Sequence, residues 1–230
     1  RCGSGDHIPA SARDALAEAH AEGPGGIVGC ESDPLIGELD NLAPGARSTV
    51  RGLASMLAVR GNGSADPTIE IAERIARELQ MGPSADVRAA ALLRGVGSLA
   101  VPESILDKPG ELDAVEWGLI RRRPDVAATL LRSLAGLDEV ASIVRHEYER
   151  WDGTGYPDGL AGEQIPLGSR VLLASGAYFA MTSPRPWRRT LTHSEAVRQL
   201  SDNAGGQFDP EVVAVLIGRL HWMRQLGSAR

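Results

Sequence analysis

Paired histidines, paired cysteines and lysine are what this chain most conspicuously lacks. Its 230 residues hold two cysteines, Cys2 and Cys30, far apart in the sequence; neither a disulfide framework nor a zinc knuckle is indicated, and a reducing compartment fits. There are five histidines, His7, His20, His146, His193 and His221. No two lie three or four residues apart and none is followed by an aspartate, so a histidine-rich metal site would need convergence from distant segments. No apolar run approaches the roughly 20 residues of a membrane span; the best, "VLLASGAYFAM" at 171–181, suits a core helix. Strand signals are scarce, and neither a fixed-period repeat nor a low-complexity tract is visible.

The formal charge of −6 argues against a nucleic-acid binder that works by bulk electrostatics. Two arginine clusters, "RRR" at 121–123 and "RPWRR" at 185–189, remain available for phosphate; for 121–123 a solvated helix face is the simpler reading. We expect no direct nucleic-acid binding, no membrane attachment, no cofactor and a cytoplasmic location. Among 24 basic residues Lys108 is the only lysine, a bias that reads as a GC-rich bacterial genome. The chain begins at Arg1 rather than Met, which reads as a piece of something longer.

What is present is helical punctuation in a chain 43% hydrophobic and 23% charged, ample for a buried core. Ser11 and Gly23 bracket a first helix, and residues 1–45 are read as an appendage or the tail of an upstream domain, with the main domain over 46–230. In "DPTIEIAERIARELQMGP", Asp66 is the expected N-cap, Pro67 takes the first helical position, and Ile69, Ala72, Ile75, Ala76 and Leu79 form one buried stripe. Further helices are expected at 84–94, 113–121 (capped by Asp113 with Glu116), 124–135 and 137–151. Others should run from near Pro166 to Met181, from Thr192 with Glu195, and from Asp209-Pro210 to about Leu220. The fold class is all-α.

Three segments carry a resemblance. "AALLRGVGSLAVPESILDKPGELDAVEWGLIRRRPDVAATLL" (90–131), "RHEYERWDGTGYPDGLAGEQIPLGSR" (145–170) and the stretch from Ser169 through "GGQFDPEVV" to Val213 resemble, in order and spacing, the HD-GYP domains of bacterial signalling proteins, over about residues 50–220. That resemblance implies a helical bundle and hydrolysis of cyclic di-GMP at a two- or three-metal centre, usually iron or manganese. The metals would activate a water and neutralise charge on the phosphoryl oxygens.

Under this resemblance the metal-ligand positions carry other residues. Arg94 and Gly95 stand for the His-Asp pair, with Ser98 for the lysine that follows it; Arg123 stands for the His before Pro. Glu147 and Tyr148 stand for two adjacent histidines, Gly176 for an aspartate and Phe179 for a second. Arg94, Arg123 and Glu147 are expected to close into an ion-pair cluster that fills the vacated cavity. Tyr156, Arg185 and Arg188 match positions that in the family help hold base and phosphate; the alternative is that Gly153, Gly155, Tyr156 and Pro157 only shape a tight loop. The expectation that follows is a catalytically inactive regulatory or protein-interaction module, a pseudo-phosphodiesterase with a protein partner or attached signalling domain. A non-hydrolysing cyclic di-GMP receptor stays open as a second reading, and a phosphodiesterase with an atypical metal site as a third.

Overall fold

Ten α-helices form among the described residues of the computed structural model, which are Leu39 and residues 42–60, 67–81, 84–184 and 189–227. They are α1 (Pro44–Arg60), α2 (Pro67–Glu78), α3 (Ser84–Leu93), α4 (Glu103–Leu106), α5 (Ala114–Arg121), α6 (Arg123–Arg132), α7 (Asp138–Arg145), α8 (Leu167–Thr182), α9 (His193–Asp202) and α10 (Pro210–Gly227). Two 3-10 turns, Arg94–Ala100 and Gly162–Gln164, complete the described backbone elements. No strand occurs among the described residues, so the all-α expectation holds. The chain divides into two units, Arg1–Gly37 and Glu38–Arg230. The first unit lies outside the described residues, and with it the helix expected from Ser11, both cysteines, His7 and His20; Asp66 lies outside them too.

The helices follow from local chemistry. Pro67 opens α2, and four members of the expected stripe, Ile69, Ala72, Ile75 and Ala76, are buried, whereas Leu79 lies just past the end of the helix and is half-buried. On α3 the buried set is mostly alanine, with Val87 and Leu93; short side chains let α2 and α3 approach closely, and the buried Glu73–Arg88 pair links them. Asp113 caps α5 by accepting from Val115 N (2.8 Å) and Glu116 N (2.9 Å), while Glu116 accepts from Asp113 N in return (2.8 Å). Lys108, the single lysine, also donates to Glu116 (2.6 Å). Thr192 and Glu195 form the second expected capping box, at the start of α9.

At the centre lies α8, which packs against α2, α3, α7, α9 and α10. Val171, Leu172 and Ala174 on α8 join Leu131, Leu137, Ile143, Leu200 and Leu216 in the core, each large aliphatic contributing roughly 1.5–3 kcal/mol on burial. Behind it, Asp209 accepts from Glu211 N (2.8 Å) at the start of α10 and pairs with Arg170 of α8 (2.6 Å). One buried carboxylate thereby caps one helix and ties it to another. No helix among the described residues is long and apolar enough to cross a membrane.

The helix expected over 137–151 ends at Arg145. Its apolar stripe stops at Val144, so Tyr148 and Trp151 belong to the loop that follows, held by contacts distant in sequence.

Candidate functional site

The loop between α7 and α8 is shaped by a buried carboxylate. Glu149, 1% exposed, accepts through Oε1 from the backbone N–H groups of Asp158 (2.7 Å) and Gly159 (3.1 Å). Tyr156 N donates to Tyr148 O (3.3 Å), while Trp151 N and Asp152 N donate to Gln207 O (3.2 Å) and Gly206 O (2.9 Å) in the turn before α10. Gly155 sits so close under this hairpin that a Cβ would lie 2.3 Å from Arg150 N and 2.5 Å from Glu149 Cα. The same bonds bring Tyr148 and Tyr156 into a parallel stack, with ring centroids 5.3 Å apart and planes 3° from parallel. The Tyr156–Pro157 peptide is cis.

Three arginines border the stack. Arg94 opens the first 3-10 turn, and its Nε lies 3.2 Å from Oε1 of the buried Glu147. Its guanidinium occupies the space over Gly176 of α8, where a Cβ would be 2.7 Å from Nη1. Arg123, at the start of α6, lies with its guanidinium carbon 5.7 Å from the Tyr148 ring centre. It donates to Ile120 O (3.3 Å), Ser98 Oγ (3.2 Å) and Tyr148 Oη (3.4 Å). Arg121, exposed at the end of α5, stands 5.6 Å over Tyr156. The neighbouring Glu147 carboxylate, with burial second, pushes the Tyr148 hydroxyl up to about 12, so it remains a neutral hydrogen-bond donor across physiological pH. Burial likewise raises Tyr156.

The structure therefore brings Arg94, Arg123, Glu147, Tyr148, Tyr156 and Gly176 to one place. Gly95 faces Leu57 of α1 instead. Arg185 and Arg188 lie outside the described residues, as does the side chain of His221. The expected three-member ion cluster forms only in part: Arg94 meets Glu147, whereas Arg123 turns to a serine, a tyrosine and a carbonyl, because the start of α6 sits against the 3-10 turn that carries Ser98. Gly97 of that turn would place a Cβ 2.1 Å from Arg123 O. His146 is removed from the stack, its ring between Ser142 O (2.9 Å) and Asp158 (3.0 Å). Asp158 is also gripped by Arg145, which holds its carboxyl below the usual range. His193 opens α9 and contacts Tyr178 Oη (2.9 Å).

Arg121 is exposed, as the solvated-face reading of 121–123 expects, yet it also lies over Tyr156. No periodicity could have placed it over Tyr156, 35 residues away in the chain. Arg94 and Arg123, at two of the positions that the resemblance matches to metal ligands, do not suit a metal: guanidiniums are permanently cationic and offer no lone pair, and Arg94 already engages Glu147.

Residues 47–212 match the HD domain family model. The chain is 41% identical over 149 residues to a cyclic di-GMP phosphodiesterase of Pseudomonas aeruginosa, covering 62% of this chain and 35% of that protein. It is 32% identical over 194 residues to the cyclic di-GMP phosphodiesterase response regulator RpfG of Xanthomonas campestris, covering 80% and 51%. A 3'3'-cGAMP-specific phosphodiesterase of Vibrio cholerae matches at 34% over 138 residues, covering 59% and 26%. The chain thus spans from about a quarter to about half the length of these curated relatives. Two solved structures share the fold. One is a cyclic GMP-AMP specific phosphodiesterase of V. cholerae (TM-score 0.53, 23% identity, covering 69% of this chain and 44% of that one). The other is an HD-GYP-type protein of Bdellovibrio bacteriovorus (TM-score 0.54, 17% identity, covering 67% and 50%). These relatives correct the expectation that the chain is not an enzyme: proteins 32–41% identical to it are phosphodiesterases, and likeness to them points to an enzyme. On the match over residues 47–212, the chain belongs to the HD domain family.

Proposed function

We propose that this chain is a cyclic-dinucleotide-directed domain of the HD phosphodiesterase family, engaging its ligand at the tyrosine stack and the arginines beside it. One observation carries the reading: two parallel tyrosine rings at 5.3 Å with guanidiniums over each. Aromatic faces take flat bases and guanidiniums take phosphate oxygens, and a cyclic dinucleotide presents both. The curated relatives' substrates, cyclic di-GMP and 3'3'-cGAMP, support that class.

In the same reading Arg94, Gly95, Arg123, Glu147, Tyr148 and Gly176 stand at the positions that the HD-GYP resemblance matches to metal ligands. The Arg94 guanidinium over Gly176 supports this assignment. Arg185 and Arg188 are assigned to the same ligand on the resemblance of their segment. An attached signalling domain or protein partner in the cytoplasm belongs to the proposal too, supported by one relative being a response regulator.

The test is calorimetric titration of the chain with cyclic di-GMP and with 3'3'-cGAMP, with each mixture followed chromatographically for linear products. Saturable binding that Tyr156→Ala weakens about tenfold or more is expected. Absence of binding by both nucleotides overturns the proposal. Appearance of linear product would extend the likeness to the curated relatives from family to activity.

A further inference from the structure

We propose that Arg121 and Arg123, each lying against one ring of the Tyr156–Tyr148 stack, form a seat for phosphodiester anions that needs no metal ion. The inference rests on the cyclic-dinucleotide reading and specifies which groups replace metal charge in it.

The first observation is a difference among the guanidiniums. Arg88, Arg94, Arg145 and Arg170 are each matched by a carboxylate: Glu73, Glu147, Asp158 and Asp209 respectively. Arg123 instead spends its donors on a carbonyl, a serine hydroxyl and a tyrosine hydroxyl. Arg121 rests on an aromatic face. Neither has a carboxylate partner among the described residues, so positive charge is left unneutralised at this spot of a chain whose formal net charge is −6. The three neutral acceptors of Arg123 hold its guanidinium in place without neutralising its charge.

The second observation is orientation. Arg121, held against an aromatic face, keeps an N–H edge that can grip phosphate oxygens in a bidentate fork; Arg123, with three of its five N–H groups engaged, retains one on each terminal nitrogen. Both guanidiniums act on the Tyr156 hydroxyl, offsetting the rise that burial gives it, so the two border the same ring, which suits a ligand carrying more than one phosphodiester. Tyr148 Oη accepts from Arg123 and keeps its own proton for a further acceptor beside it.

The third observation concerns Glu147. A bare carboxylate there would repel phosphate, but Arg94 lies against it and fills the space over Gly176. Arg94 thus acts as a positioning residue that neutralises the floor of the site and leaves Arg121 and Arg123 to face the ligand.

Calorimetric titration of the chain with cyclic di-GMP in buffer containing EDTA, and again with added manganese, tests this. Equal affinity in the two buffers is expected, together with a loss of about tenfold for Arg121→Gln and for Arg123→Gln. Affinity should also fall steeply with added salt, with a shallower slope in each variant. Arg121 is exposed and makes no hydrogen bond in the core, so its variant reads binding without a folding defect. Unfolding midpoints check the same for Arg123→Gln. Binding seen only with manganese, or wild-type affinity in Arg121→Gln, overturns the seat while leaving the cyclic-dinucleotide reading intact. No binding in either buffer overturns both.

Discussion

Removing the carboxylate of Glu147 takes from Arg94 the acceptor 3.2 Å from its Nε. The Arg94 side chain is 26% exposed and Glu147 only 3%, so water recovers part of the lost interaction. Glu147→Ala is expected to destabilise the chain by about 2 kcal/mol, below the ~3–5 kcal/mol of a fully buried broken pair. The same variant should show itself at Tyr148. In the native protein that phenol holds its proton to about 12, chiefly because of Glu147, whereas an unfolded tyrosine ionises near 10. Its raised value therefore contributes stability that is complete below about pH 10 and is lost as pH rises toward about 12. Without Glu147, near-ultraviolet phenolate absorbance should rise at lower pH than in wild type. An unchanged urea midpoint together with an unchanged phenolate curve would show that Arg94 and Glu147 are not coupled in this way.

Between elements, Asp209 ties α10 to α8. It starts α10, pairs with Arg170 of α8 and is 3% exposed. Arg170 also lies 5.7 Å from the Trp151 ring centre, so the loop carrying the tyrosines is braced from α8 as well as from the backbone of Gly206 and Gln207. Asp209→Ala removes a cap, worth about 1 kcal/mol, and leaves a largely buried guanidinium without its partner. The expected loss is about 3 kcal/mol in urea unfolding. Arg170→Ala should cost a similar amount, and the double variant less than the sum, since both remove one interaction. Additive losses would mean that the two side chains act independently.

For the molecule as a whole, the buried Glu147 carboxylate at the site already has Arg94 against it, so folding should not depend on a bound metal ion. The thermal midpoint should be the same within about a degree in EDTA and in excess manganese. An ion that binds only the native state raises the midpoint with its concentration; a rise of several degrees with manganese would reveal a metal site and overturn the expectation. The helical architecture, both capping boxes, the α2 stripe and the HD-GYP resemblance were legible in the sequence, because each depends on residues within a few positions of one another or on motif order along the chain. Asp113 with Glu116 and Thr192 with Glu195 show this directly. The end of α7 at Arg145 was not legible, since backbone partners near Gly206 and Gln207 claim the residues that would have continued it. Arg121 over Tyr156 and Arg123 turned to Ser98 were not legible either: a long side chain chooses among acceptors by distance, and only the packed helices set those distances. The sequence by itself determined the helices, their caps and the residues offered at the site. The tertiary structure alone decided which arginine meets a carboxylate and which is left facing outward.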